Sequence, residues 1–533
     1  MRTIQLLAAC LSFGTLNAQQ VDWLIGDPVG YDMNPGMPRH TIASAPEHLV
    51  SMRTESVSVI FGSAVFGTVM LEALDPATGD TWLSCLLSDQ VSVGTAVVDP
   101  AGIAYFAGTF MGDALEFCNG PALPGVGGFF PINYFVMAWN LNTGMPLWAR
   151  NLTPDFQEII EMPSLAVDPA GNLWIAAMEF SEAHLLQVDF FGDDVQMRTV
   201  TGIRRLGTIS FDPWGGLYVS GSCDNGTLTF AGQGFPVESD EGYNMFVLRY
   251  KPDGTAGFAE FGTDITFSDP MVIATQDGHA YLAGDLHLSG NIWGDLQFNG
   301  PNWGSDLFLA KLDSTGQFLW GVESAPEDLV VTGDLARAMG ACLALDAEDR
   351  PILMGTLRGS VDWGNGVVSD GQVISDRSLT VVAFDGDGIA LWAATSEPST
   401  WFATAQSVAA TAELGAVHFI SHVASEFTFG GHTVGADMAH TAVIGRIDAI
   451  TIGITEQPGM VGLHAWPNPA ADVLFVEVEA TAVLPAELLN SSGQRVRNVS
   501  LMPGGNAVNV GGLAPGLYLL RVVDGRAVRV VVE

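Results

Sequence analysis

The chain has 533 residues, and 20 Lys and Arg against 59 Asp and Glu leave a formal net charge of −39. Such a charge repels phosphate backbones and anionic headgroups, which argues against nucleic-acid binding and peripheral membrane docking. With 48% hydrophobic and only 15% charged residues, 62 Gly and 27 Pro, the composition supplies large cores without coiled coils or long solvent-facing helices, so the bulk is expected to be β.

At the N-terminus, Arg2 precedes an apolar stretch from Ile4 to Leu16, and Ala18 stands before Gln19-Gln20. This predicts a signal peptide over 1–18, cut after Ala18. The stretch is shorter than the ~20 apolar residues that span a bilayer, and no later run reaches that length, so no transmembrane segment is expected in the mature chain. Leu7-Ala8-Ala9-Cys10 also fits a lipobox, which is the alternative at this end.

Between residues 50 and 450 two columns recur. One is an acidic turn followed by a strand that ends on a small residue: Asp99-Pro-Ala-Gly to Gly108, Asp168-Pro-Ala-Gly to Ala177, Asp212-Pro-Trp-Gly to Gly221, Thr275-Gln-Asp-Gly to Gly284, Asp346-Ala-Glu-Asp to Gly355, and more weakly Thr411 to Ser421. A degenerate first copy ends at Gly62. The other column is a Gly turn with an aromatic three or four residues on: Gly79 with Trp82, Gly144 with Trp148, Gly254 with Phe258, Gly316 with Trp320, Gly388 with Trp392. Four short strands per unit, repeated without helical periodicity, predict an all-β chain whose residues 19–448 form a seven-bladed β-propeller. The stretch Ser305 to Trp320, and Phe117, Phe230, Phe298, Trp363 and Phe429 each followed closely by Gly, resemble the bacterial β-propeller repeat family often found in front of type IX sorting domains. The last unit lacks its outer strand, and Val21-Asp-Trp-Leu-Ile25 carries the orphan Trp23 suited to that place. The N-terminal strand 21–25 is therefore expected to close the ring, removing exposed edges. Residues 449–462, rich in Gly, Pro and Thr, read as a linker.

The last seventy residues alternate in short strands with turn punctuation, which predicts a small Ig-like β-sandwich over 463–533. Pro467, Asn468, Pro469, Gly493, Val496, Leu513, Gly516, Tyr518, Leu520 and Val522 follow the pattern P-N-P, G-x-x-V, L-x-x-G-x-Y-x-L-x-V. In these residues the segment resembles the C-terminal sorting domain of the type IX secretion system of Bacteroidetes. The resemblance implies transit through the periplasm and across the outer membrane, handling by the secretion machinery and its sortase, and release or anchoring at the cell surface. The chain departs from the family by ending on Glu533 rather than a basic residue, which bears on the processing details.

Little in the sequence carries catalysis. There is no H-E-x-x-H, G-x-S-x-G or C-x-x-C. Tyr105, Trp174, Tyr218 and Tyr281 recur at one strand position, with Ile352 and His418 in the same register, and are expected in the core. His418 and His422 share a strand face but lack a nearby third ligand, and Asp385-Gly-Asp-Gly388 sits in the Gly-turn column, so no metal and no cofactor are expected. Cys85, Cys118, Cys223 and Cys342 allow three pairings; a Cys85–Cys118 bridge between neighbouring units is one option, and Cys342 reads as a buried thiol. The long segments between second and third strands, about 109–132, 222–242, 285–304, 356–378 and 422–440, share one face. Within them the non-recurring Trp293 and Trp303, beside Asp295 and Asn302, are the candidate ligand-binding residues, because flat aromatic faces next to hydrogen-bonding groups suit a sugar or peptide. A non-enzymatic binding module for an extracellular glycan or protein is the leading reading. A secreted polysaccharide hydrolase or lyase is the alternative, and a quinone-dependent dehydrogenase, suggested by Leu74 to Trp82, the third.

Overall fold

The computed structural model describes residues 19–449 and 463–532, apart from 31–36, 62–63, 89, 119, 127–131, 157–158, 241, 264–269, 287–291, 299–305, 325–333, 372–375, 400–402, 412–415, 437, 467–468, 479–482, 491–494, 515 and 523–526. The described chain is almost entirely antiparallel β-structure in two compact units, 1–449 and 450–533.

The larger unit is a succession of four-strand meanders. The first runs His40–Ala45, His48–Phe61, Ala64–Leu74 and Thr81–Leu86; the second Val91–Val98, Ile103–Met111, Ile132–Asn140 and Met145–Asn151. The third is Glu161–Val167, Leu173–Met178, Glu182–Val188 and Asp194–Thr201, and the fourth Arg205–Phe211, Leu217–Asp224, Tyr243–Tyr250 and Ala256–Thr263. Then come Met271–Ala274, Ala280–Leu286, Asp306–Leu312 and Phe318–Glu323. In the next meander the first strand is split into Asp334–Arg337 and Leu343–Leu345, ahead of Pro351–Arg358, Ser378–Phe384 and Ala390–Thr395. The last meander contributes Ala403–Ala410, Ala416–Val423 and Thr441–Ala449, and its fourth strand is Gln19–Pro28, paired antiparallel with Thr441–Ala449.

The acidic turns have one construction. Asp168 Oδ1 accepts the N–H of Ala170 and of Asn172, and the same i+2 and i+4 pattern recurs at Asp212, Asp346 and Asp385. Asp189 and Asp313, in the turns between third and fourth strands, do likewise. The residue at i+3 takes a positive φ, +86° at Gly171 and +82° at Gly388, which glycine adopts without a Cβ clash. Six of the chain's 59 acidic residues thus hold turns of this construction, and the DGDG sequence at 385–388 is one of them.

The first strands of the meanders neighbour one another in chain order, and Ala403–Ala410 lies beside His40–Ala45. Cross-links align these neighbours in parallel: the His40 N–H donates to Gln406 Oε1 and Ser44 Oγ to the Ala410 carbonyl. Likewise the Val272 N–H donates to Thr208 Oγ1 and the Ala274 N–H to Ser210 Oγ. Around them Tyr105, Trp174, Tyr218 and Tyr281 are buried. Tyr105 meets Trp148 of its own sheet at 6.1 Å, and Tyr281 meets Trp320 at 5.8 Å. In the last sheet His418 takes the tyrosine's place and Trp23 the tryptophan's, at 5.8 Å. Trp23 also lies against Gly79 in the first meander's turn, as Trp320 does against Gly388. The buried Arg53 reaches from the first meander to Asp27 at 3.5 Å while pairing with Glu72 at 2.8 Å.

The long connections between second and third strands form small hairpins, such as Gly226–Phe230 with Gln233–Val237 and Phe427–Phe429 with His432–Val434. Two of them add to the outer strand of the preceding meander. Phe117, Phe230, Phe298 and Phe429 are buried wedges. The Cys85–Cys118 disulfide ties the second meander's connection to the first meander's outer strand, while Cys223 and Cys342 are buried free thiols.

In the smaller unit, Leu463–Trp466, Val473–Val478 and Gly504–Asn509 form one sheet, and Arg495–Leu501, Leu484–Asn490, Gly516–Val522 and Ala527–Val532 the other. Leu474, Val476 and Val508 share a core with Leu488, Leu520 and Val530.

Candidate functional site

A cavity of about 1340 Å³ is lined by the first strands of every meander. Because these strands run the same way, their starts share one mouth and their ends the other. At the ends, the carboxylates of Asp99, Asp168 and Asp212 are engaged in turns: Asp99 accepts from the Ile103 N–H, Asp168 also from Trp174 Nε1 and Gln187 Nε2, and Asp212 from Arg249 at 2.6 Å. At the starts stand Arg39, Arg205, Arg337 and Glu161. Arg337 pairs with Asp285 at 3.2 Å. Three of the chain's 20 basic side chains therefore gather at one mouth. The second-to-third connections open on this same face.

Of the sequence-predicted ligand residues, Trp293 and Asp295 are among the described ones. Trp293 is fully buried: its indole lies on the backbone at Gly262 and packs against Phe308 and Phe318, so it offers no face to a ligand. That corrects the expectation for this residue. Trp293 fills a gap between two neighbouring sheets, a role that its failure to recur in other units does not reveal. Asp295 is exposed at the tip of its hairpin, and Trp303 and Asn302 lie outside the described residues.

The histidines expected to share a strand face have separate roles. His418 Nε2 donates to the Pro76 carbonyl at 2.9 Å, and burial lowers its pKa to about 4. His422 joins a chain of three rings instead. The Thr54 N–H donates to His40 Nδ1, which leaves the His40 proton on Nε2, facing His422 Nδ1 at 3.1 Å. His422 must then carry its proton on Nε2, facing His440 Nδ1 at 2.9 Å. One backbone N–H thus fixes the tautomers along the chain, and the rings stack at 5.3 and 5.2 Å. Burial, with the neighbouring His422 and Arg53, holds His40 well below the usual histidine range; burial and His440 lower His422 to about 3. The three rings are neutral and bind the first meander to the last. Sequence reasoning missed this, because His40 and His422 are 382 residues apart.

Of the sorting pattern, Tyr518, Leu520 and Val522 face the core of the smaller unit, and the Tyr518 hydroxyl donates to the Ala514 carbonyl at 2.8 Å. Leu513 packs on that core, while Pro469, Val496 and Gly516 are exposed. Pro467, Asn468 and Gly493 lie outside the described residues.

Fold and tail together define an exported all-β protein whose larger unit is a succession of four-strand antiparallel meanders. Residues 464–533 match the family model of the secretion system C-terminal sorting domain, so this segment is a type IX sorting domain and the protein is directed to the cell surface or the medium. None of the helices among the described residues is long and apolar enough to cross a membrane. No curated protein matches the sequence. Among solved structures the chain is similar to the Dos1 propeller (8% identity, 81% of this chain and 96% of that one, TM-score 0.37). It is similar also to a protein from Lactobacillus plantarum (10%, 70% and 95%, 0.31). A third is PorZ, a bacterial surface component of the type IX secretion system of Porphyromonas gingivalis (8%, 96% and 100%, 0.14).

Proposed function

We propose that residues 19–448 form a closed seven-bladed β-propeller, with the strand around 21–25 sealing the last blade. In this reading a signal is removed at 1–18, and 449–462 links the ring to an Ig-like sorting domain at 463–533. The exported ring is a non-enzymatic binding module for an extracellular glycan or protein, which it meets at the mouth bearing Arg39, Arg205 and Arg337. The secretion machinery and its sortase are the partners during export.

One observation carries the preference for binding over catalysis. The carboxylates of Asp99, Asp168 and Asp212 along the cavity are committed to turn N–H groups or to Arg249, so they are not placed as an acid and base pair across a substrate. Guanidinium groups at the opposite mouth suit the planar, two-oxygen geometry of a carboxylate on a sugar acid or an acidic peptide. The test is to probe the mature protein against glycan and extracellular-protein arrays, with an Arg39→Ala/Arg205→Ala variant alongside. Retention of a ligand without turnover, weakened about tenfold or more in the variant, is expected for loss of charge-assisted hydrogen bonds. Release of new sugar ends from a retained polysaccharide would favour the hydrolase or lyase instead.

A further inference from the structure

The third meander lacks the long hairpin connection that the second, fourth and last meanders carry between second and third strands. Only Glu179, Phe180 and Ser181 separate Leu173–Met178 from Glu182–Val188, and the turn is closed by the Glu179 N–H donating to the Glu182 carbonyl at 2.8 Å. Two residues on stands His184. Positions 182 and 184 are two apart on a strand and therefore lie on one face.

Glu179, Glu182 and His184 converge. His184 Nε2 is 3.7 Å from Glu179 Oε2 and 3.6 Å from Glu182 Oε1, and one ligand atom from each residue lies within 4.8 Å of the other two. A tetrahedral zinc with bonds of about 2.0–2.2 Å sets neighbouring ligands roughly 3.3–3.5 Å apart, so both histidine–carboxylate distances are within a few tenths of an ångström of that spacing, and the two carboxylates, within 4.8 Å of each other, need only side-chain rotation to close on an ion. The His184 side chain is 11% exposed and already oriented. Its Nδ1 is held by Thr199 Oγ1 at 3.3 Å on the adjacent strand, and Phe156 stacks on the ring at 5.3 Å. Nε2 makes no hydrogen bond among the described residues and is aimed between the two carboxylates. A ring nitrogen steered by a hydrogen bond on its other nitrogen is how proteins prepare a histidine for a metal.

We propose that Glu179, Glu182 and His184 form a site for a divalent transition metal of the zinc class, with water completing the coordination. One nitrogen and two carboxylate oxygens suit such an ion better than calcium or magnesium, which take oxygen ligands.

The test uses the mature protein, stripped with a chelator and titrated with Zn2+ in excess Ca2+ and Mg2+, which occupy the acidic surface. A single class of site, binding one equivalent of Zn2+, is expected. Glu182→Gln should weaken it about 10- to 100-fold, and His184→Gln at least as much. Substituting Co2+ should give the visible bands of a tetrahedral site in the parent protein and not in His184→Gln, a signature that an imidazole–carboxylate ion pair cannot produce. Thr199→Val, which leaves the three ligands in place, should weaken binding less than either ligand change. Equal Zn2+ affinity in the parent and His184→Gln proteins, with unchanged thermal melting of the stripped forms, would overturn the assignment. So would the absence of any Zn2+ binding in the parent under these conditions.

Discussion

The recurrent Asp-x-x-Gly turns show how single residues specify the scaffold. Each needs a short acceptor at its first position and a left-handed backbone at its fourth, both local demands, which is why the columns were legible in the sequence. Gly171 is a clean test, because its φ is +86° and a Cβ there would meet nothing within 4 Å. Gly171→Ala should therefore cost only the backbone term, about 1–2 kcal/mol, read as a shift of the denaturation midpoint. The free thiols offer a second check at this scale. Burial raises Cys223, with Asp224 adding to it, and Cys342 to about 12. Neither should react with an alkylating reagent at neutral pH until the protein unfolds, so mass spectrometry should find both unmodified in the native state and modified in denaturant. The tautomer-locked chain from His40 to His440 has no comparable local signature. Its members come from the first and last meanders, and only tertiary structure brings them together.

Hairpins wedged between successive meanders are the second level of organisation. The sequence revealed their Phe column, because the aromatic recurs before a Gly turn, but not the burial of Trp293. A residue that recurs nowhere else can be a ligand contact or a filler for one gap, and here Gly262 leaves that gap by having no side chain. The Cys85–Cys118 bridge is covalent reinforcement of the same kind of contact, joining two sheets across 33 residues. From loop-closure entropy alone, a double Cys85→Ala/Cys118→Ala variant should lose roughly 3–4 kcal/mol, measured by chemical denaturation under oxidising conditions. Indifference to the double change would mean that the hairpin is held by its apolar wedge, Leu115 and Phe117, without help from the bridge.

At the scale of the whole molecule, the order of four-strand units and the sorting tail were legible because both rest on repetition or a dense motif. The parallel alignment of first strands around a cavity, and the arginines gathered at one mouth, were not, since they follow from how sheets are placed around one another. The junction between first and last meanders concentrates buried histidines, which gives it a pH dependence of definite sign. His40, His418 and His422 sit below their ordinary value of 6.5, so their neutral forms are favoured by folding. Stability should be full above about pH 6.5 and decline as the pH falls below it, each group costing roughly 1.4 kcal/mol per pH unit until its folded pKa is reached. Thermal melts should fall between pH 7.5 and pH 5, and a His422→Phe variant should show a shallower decline. The proposed mouth, assembled from first strands far apart in sequence, depends on that junction being closed by Gln19–Pro28. Hydrogen exchange of the mature protein, followed peptide by peptide, tests this most directly. Amides from Val21 to Ile25 should exchange as slowly as their partners in Thr441–Ala449, whereas exchange of the terminal strand within seconds, beside a protected Thr441–Ala449, would contradict the closed ring and the site built on it.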